Sequence, residues 1–554
     1  MFENCMSPSA GIIQIRLTGV ISGQLATPGH AYPTAIGKIC QAWFVDHPLF
    51  LLYSTPMKHI VLSSEITKID SASQNAFRLP ALTLMESAAM GVWSVVESRI
   101  PRKDASLVFL CGGGNNGGDT LAIARLAYNS GYNKVLCILT GSHPSPSCER
   151  QREIVERYGI DSILVDETIP DTAEQAIAHA DFLFDGLAGT GLKGKLRNSA
   201  LALVQLANRS KAHTIAIDIP SGVSEEVSSS SSHTKAELCV TFGMRKLAMY
   251  HPFTRSDCGE IVVKNPSFPP QLLGKALIAS DLYTSEDLAL KKLSTSSYKN
   301  KRGHLGIVGG SKEYSGAPRL SARSAFASRA GLVTLFCEEE VYPIAASESP
   351  SVMVRVLREV KELASYDALL VGVGWGGGRS SLLERIFSLG KSIVLDADGI
   401  RAYAELLEKQ KNINHGPLVL TPHLGELKHL TSVLYDEAPD DTPLSFFTMV
   451  QDVADRLNAV LVVKSSLVHI AYPGESRIAV IEGLNPSLGV AGSGDVLSGV
   501  IAALLVGGET VQEAALQGTL LHQSAGALAR DRRGYYDSET LVEYLGQVVM
   551  GAER

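Results

Sequence analysis

The sequence predicts two α/β domains in tandem, each a mostly parallel sheet covered by helices on both faces. Three observations carry this reading. Short runs rich in Val, Ile and Leu alternate with helical patterns from Ser106 to Gly243, and again from His304 to Gly474. Strands buried on both faces read as such runs. The 554 residues amount to two to four domains at about 150 residues each. The polar, basic stretch "LKKLSTSSYKNKRG" separates the two series as a linker.

Composition narrows the function. With 45% hydrophobic and 19% charged residues the chain has the balance of a globular protein, and its net charge of −7 gives no reason to expect a nucleic-acid partner. Eight cysteines fall without a CxxC pair, so neither a zinc site nor a disulfide framework is indicated. That usage fits a reducing cytosol. No apolar run reaches the roughly 18–20 residues that span a bilayer. Asp46, His47 and Pro48 interrupt the most apolar early piece, and the first residues make a poor signal peptide. The expectation is a cytoplasmic protein with no membrane contact.

Taken in order, residues 1–58 match no usable pattern and stand as an extension of unknown role. Residues 59–285 form the first domain. Leu62 to Val96 reads as helical, with Ser63 or Ser64 as N-cap and Glu65 in the first turn. Strands follow at "SLVFL", "KVLCILT", "DSILV", "DFLFDGLAG", "HTIAIDIPSG" and "AELCVTFG", and the tract Ser228–Ser232 is a loop. Residues 286–298 are the linker and 299–554 the second domain. Its strands are "HLGIVGGS", "GLVTLFC", "ALLVGVGWGGG", "SIVLDADGI", "PLVLTPHLGEL", "AVLVVKSS" and "VHIAYPG".

The first glycine loop, "CGGGNNGGD", satisfies GxGxxG through Gly112, Gly114 and Gly117. A dinucleotide site also wants an acidic residue after the next strand, and Thr140 to His143 supply none. "GTGLKGKL" nearly fits a P-loop, but Leu196 stands where a magnesium-binding hydroxyl is required. What remains is a turn offering N–H groups, amides and a carboxylate, with Asp185 and Asp218 at later strand ends. Parallel strand ends converge on one crevice. Oxygen ligands from Asn116, Asp185 and Ser221 suit a hard cation, although each residue could instead cap a helix or turn.

The motifs "CGGGNNGGDTLAIARLA", "DGLAGTGLKGKLR", "AIDIPSGV" and "VTFGMRKL" resemble the N-terminal domain of NAD(P)H-hydrate epimerases, over about Ile60 to Pro269. The resemblance implies a Rossmann-like three-layer domain in which Asn116, Asp185 and Ser221 hold K+. It places Asn115, Asn116, Gly117, Gly118 and Asp119 near the substrate phosphates. Gly189, Thr190, Gly191, Leu192, Lys193, Gly194 and Lys195, with Asp218, would contact the hydrated nucleotide. Interconverting R and S forms at C6 breaks and remakes a bond, and Asp218 is the carboxylate expected to serve as acid–base. Gly113, Thr120 and Ser87 depart from the family's usual Pro, Gly and Asn.

The second glycine loop, "AGSGDVLSG", puts Gly494 and Asp495 at the start of an apolar helix. A helix N-terminus there is an anion hole, and an aspartate can take a hydroxyl proton during phosphoryl transfer. With "VGVGWGGG", "VLDADGI", "LTPHLGELKHL" and "VVKSSLVHI" in order, residues from Lys299 resemble ADP/ATP-dependent NAD(P)H-hydrate dehydratases. This implies a ribokinase-like domain with Asp495 as base. Ala330, Gly374 and His423 would line the hydrated-nicotinamide site. Lys464, Ser465, Ser466, Leu467, Val468 and Gly494 would meet the nucleotide. Ser465, Val468, Val490 and Ala491 replace glycines and hydroxyl residues of the family pattern, which predicts weakened nucleotide contacts.

A bifunctional enzyme of NAD(P)H repair is the expectation, acting on NADHX and NADPHX with ADP and Mg2+, as a homo-oligomer. Two alternatives are a kinase for a vitamin precursor and a chain with one domain kept as a non-catalytic module.

Overall fold

The computed structural model describes residues 58–553 apart from Ser142, Ser349 and Lys411, so the extension expected at the start lies outside the described residues except for Lys58. In the N-terminal half seven parallel strands form one sheet. Their order is Asp161–Val165, Lys134–Thr140, Ser106–Cys111, Phe182–Gly186, His213–Ile217, Leu238–Phe242, Glu260–Lys264. Side-chain alternation builds a core on each face. Leu107, Phe109 and Cys111 pack under helices Ala81–Val96, Asn115–Asn129 and Pro146–Arg157. Val108 and Leu110 pack under Asp171–Ala178 and Asn198–Ala207.

The second sheet has twelve strands, in the order Met353–Val356, Leu332–Cys337, His304–Val308, Ala368–Val371, Ser392–Leu395, Leu418–Leu420, Val460–Lys464, Val468–Ala471, Ile478–Ile481, Ser280–Tyr283, His59–Val61, Arg245–Lys246. The first seven run parallel. The last three belong to the N-terminal sequence region, so the division at 285 does not coincide with a break in the structure. A bare strand at Ile478–Ile481 would present unpaired N–H and C=O groups, and Ser280–Tyr283 pairs with it instead.

Three local readings change. Helix Ser63–Asn75 has Leu62 as its N-cap, not a serine. Ser63 donates its N–H at 2.9 Å and its hydroxyl at 2.8 Å to Glu225 Oε1, so a carboxylate from a distant loop serves the helix end. The linker is packed rather than free, because Leu288 and Leu290 are buried in the C-terminal core. The serine tract is a loop as expected, but it docks: Ser228 Oγ donates to Asp441 Oδ2 at 2.7 Å and Ser229 N–H to Asp441 O at 3.0 Å.

An ion pair crosses between the halves. Arg255, 2% exposed, pairs through Nε with Glu482 and donates Nη1 to Gly259 O at 2.7 Å. Glu482→Gln leaves a buried guanidinium without its counter-charge, which costs about 3–5 kcal/mol. The urea midpoint is expected to fall accordingly. An unchanged midpoint would show that solvent already serves Arg255.

Candidate active sites

Both groups of expected site residues lie where parallel strands end. Ser106–Cys111 runs into the glycine turn and then helix Asn115–Asn129, so Asn115 and Asn116 occupy its first turn. The glycines allow close packing: a Cβ on Gly117 would lie 1.9 Å from Gly112 O, and one on Gly112 2.0 Å from Leu187 O. No side chain caps the helix, which leaves its first N–H groups for an anion. "GTGLKGKL" is followed by irregular chain until Asn198, so it lacks the helix that a P-loop opens.

Asp185 ends the neighbouring strand and is fully buried. Its carboxylate accepts the Ser221 N–H at 2.8 Å and the Ser221 hydroxyl at 2.6 Å, while burial pushes its pKa upward. The Asn116 amide is buried with no partner on either its oxygen or its nitrogen. All three residues touch one short segment. Leu187 N–H reaches Asp185, Ala188 N–H donates to Ser221 Oγ at 2.8 Å, and a Cβ on Gly189 would lie 3.1 Å from the Asn116 side chain. An orphaned amide oxygen beside a buried carboxylate and a hydroxyl is a donor set for a hard cation.

Asp218 follows the strand His213–Ile217 with φ +69°, a strained value for a residue with a Cβ. Its Oδ1 accepts the Phe242 N–H at 2.9 Å and the ammonium of Lys246, leaving Oδ2 without a partner among the described residues. Lys246 has no solvent exposure. Asp218, Asn116 and Thr190 share a cavity of about 510 Å³ with Asp119 and Asp70. Burial, then the Asp218 charge, holds Asp119 well above the carboxylate range; burial does the same for Asp70 to a lesser degree. A cavity of about 570 Å³ opens at the opposite edge of this sheet, but His213 and Glu237 pair there at 2.8 Å and no reactive set converges.

In the C-terminal half the strand ends surround the start of helix Ser493–Val506. Asp495 lies in its first turn, and its pKa is pushed up to about 7 by burial and then by Asp396, against the pull of Lys464. Lys464 Nζ donates to Asp396 Oδ1 at 2.8 Å, and a Cβ on Gly494 would lie 3.3 Å from that ammonium. Desolvation works against the Lys464 charge, but Asp396 and Glu426 outweigh it. The Lys464 N–H donates to Pro422 O at 2.8 Å, which seats His423 alongside. His423 Nδ1 accepts the N–H groups of Gly425 and Glu426 at 3.0 and 3.2 Å, so that nitrogen carries no proton.

A family model described as NAD(P)H-hydrate dehydratase matches residues 305–547, and one described as YjeF-related protein N-terminus matches 81–248. The bifunctional NAD(P)H-hydrate repair enzyme Nnr of Moorella thermoacetica is 29% identical, covering 86% of this chain and 93% of its own. That of Thermofilum pendens is 30% identical over 504 residues, covering 87% of this chain and 94% of its own. The chain belongs to this family of bifunctional NAD(P)H-hydrate repair enzymes. It therefore carries an epimerase and a dehydratase, an isomerase and a lyase in one polypeptide. The kinase alternative has no use for the first of them.

The structure brings many of the expected site residues together, but Ala330, Leu467 and Val468 are buried in the core. Ala330 is buried at the start of strand Leu332–Cys337, the opposite end from Asp495, with its N–H on Ala325 O. The alanine beside Gly374 is Ala317: a Cβ on Gly374 would lie 3.2 Å from the Ala317 Cβ. Val468 packs into the core. Ser465 turns its hydroxyl onto Leu467 O at 2.5 Å, within its own loop. Ser87 bonds Ser267 Oγ at 2.8 Å at the surface. Lys246, Asp396 and Glu426 escaped the sequence reading, though Asp396 carries the same signal as Asp185, an acid at a strand end.

Burial of Asp495 has a cost with a definite sign. Between the ordinary carboxylate range and about pH 7 the folded protein holds the proton and the unfolded chain does not, so stability falls as pH rises through that window. Asp495→Asn removes the effect. Its stability gain over the unaltered protein should grow between pH 5 and pH 8, by at most ~1.36 kcal/mol per pH unit. A difference that stays constant in urea unfolding would show the carboxyl to be solvated.

Proposed function

We propose that the two sites act in sequence on NADHX and NADPHX, with K+ in the first and magnesium-bound ADP as phosphate donor in the second. The observation that carries this is Asp495. It is a carboxylate poised near neutrality at a helix N-terminus, beside a lysine held charged. Such a group, about half ionised near pH 7, has a basicity matched to taking a hydroxyl proton at that pH.

In the first site, Asn116, Asp185 and Ser221 would hold K+. The buried, unpartnered Asn116 amide fits that role, and the ion supplies a fixed positive charge beside Asp185. The N–H groups of Asn115 to Asp119 receive the substrate phosphates, and the loop Gly189 to Lys195 lies over the nucleotide. Asp218 Oδ2 moves a proton at the C6 oxygen as the C–O bond breaks and re-forms. Lys246 keeps Oδ1 out of that exchange.

In the second site Asp495 takes the C6 hydroxyl proton while the oxygen attacks the β-phosphoryl group of ADP, releasing AMP. The ring nitrogen then expels phosphate as C5 loses a proton, which restores the double bond. Gly494 and Lys464 face the transferred group, with Ser465 and Ser466 along the nucleotide. Gly374 and His423 flank the nicotinamide end. A homo-oligomer in the cytoplasm fits this reading.

The test is recovery of nicotinamide absorbance from mixed R- and S-hydrated NADH, with ADP and ATP supplied separately. Asp218→Asn should slow epimer interconversion by about 10²–10⁴-fold and leave recovery of the S fraction intact. Asp495→Asn should abolish recovery by a similar factor while chromatography still shows the epimers exchanging. Full recovery with ATP alone would overturn ADP as donor. Exchanging K+ for Li+ should slow epimerisation and spare dehydration of pure S substrate; equal loss in both would remove K+ from the first site.

A further inference from the structure

The loop that presents Asp495 is held from behind by three serine hydroxyls. Ser493 Oγ donates to Leu488 O at 2.7 Å, Ser538 Oγ to Ala491 O at 2.7 Å, and Ser321 Oγ to Asp495 O at 2.9 Å. One bond differs in kind. His522, in the middle of helix Val511–Arg533, lies 3.0 Å through Nε2 from the Ser493 carbonyl. A carbonyl can only accept, so Nε2 is the donor and carries the proton. The other ring nitrogen, Nδ1, is buried with no partner.

The Ser493 carbonyl and the Gly494 N–H belong to one peptide unit. A trans peptide is planar, and its C=O and N–H point in opposite directions. A donor fixed on the Ser493 oxygen therefore aims the Gly494 N–H away from His522, toward the open end of the helix. Gly494 is also the residue against the Lys464 ammonium. Hydrogen bonding to a carbonyl polarises the N–H of the same unit, so the donor strengthens what the N–H offers an anion.

From this geometry we infer that His522 is a positioning residue for phosphoryl transfer, acting through the Ser493–Gly494 peptide on the anion hole. The inference rests on the dehydratase reading of Asp495. Burial keeps the ring neutral, with a pKa lowered to about 4, so the donor persists across the working range of pH. A carboxylate at this position would repel the carbonyl, and a protonated imidazole would leave a second buried N–H unpaired.

The test compares His522→Phe, which keeps a ring without a donor, with His522→Gln, whose amide nitrogen can occupy the place of Nε2. Loss of the hydrogen bond should lower kcat of ADP-dependent NADH recovery from S substrate by about two- to tenfold. KM for the hydrated nucleotide should stay constant, and the acid limb near pH 7 set by Asp495 should not move. The glutamine variant should regain most of the rate. Epimer interconversion, measured on the same samples, reports that the chain is folded. Full kcat in His522→Phe would overturn the inference. So would equal loss in both variants with a rise in KM, because a merely structural residue behaves that way. No nucleotide-dependent recovery in the unaltered protein would instead remove the dehydratase reading, and this inference with it.

Discussion

A buried lysine ammonium is among the costliest groups a fold can hold, at several kcal/mol even after relaxation. Lys246 meets that cost with a partner for each of its N–H groups: Asp218 Oδ1, Thr241 Oγ1 at 2.7 Å and Phe242 O at 2.9 Å. The pair fixes more than a side chain. Lys246 is also the register partner of Val61 in the last strand pair of the twelve-stranded sheet. The residues that follow it, Leu247 to Tyr250, are buried in the core of the C-terminal half. The group that pairs with Asp218 is thus anchored by the twelve-stranded sheet.

Both sites combine an aspartate with a lysine, and the two pairs are built differently. Asp218 bonds its lysine directly. Asp495 does not, because Lys464 is engaged by Asp396. Asp396 and the low-dielectric surroundings then act on Asp495 with the opposite sign to Lys464, and the proton is held to about pH 7. A fixed ion pair suits a group that must keep one oxygen still. A carboxyl left slightly short of compensation suits one that must accept a proton near neutrality. The stability lost by burying Asp495 is the physical counterpart of that basicity.

Most of the architecture was legible because parallel strands announce themselves as apolar runs ended by glycine or an acid. Six strands of the first sheet and the seven quoted for the second are where the sequence places them. Two of the shortest strands were not legible. Arg245–Lys246 is two residues long and His59–Val61 three, too short for any period to register. The helix cap at Ser63 failed for a related reason: its partner Glu225 lies 162 residues away, and no local pattern encodes that. At the sites, strand-end acids and glycine turns were visible. Ala330, implied by the resemblance, lies beyond the C-terminal end of helix Ala317–Ala327, whereas Ala317 at the start of that helix is the alanine beside Gly374.

The departures from the family pattern in the nucleotide loop take on a different meaning once the neighbouring domain is included. Ser466 donates its hydroxyl to Pro252 O, in the N-terminal half, at 3.4 Å. Three residues on, His469 donates to Tyr250 O at 2.9 Å, and its ring meets Phe446 and Phe447 edge-on at about 5 Å. Burial keeps His469 and the adjacent His251 neutral, with pKa values lowered to about 4. The segment after Lys464 is therefore braced on one side by its own hairpin and on the other by the loop that follows Lys246. A glycine at position 465 would leave that segment free to wander, whereas Ser465 closes it onto Leu467. Of these positions, Ser465 is bonded within its own loop, and Ser466 ties that loop to the backbone of the N-terminal half at Pro252.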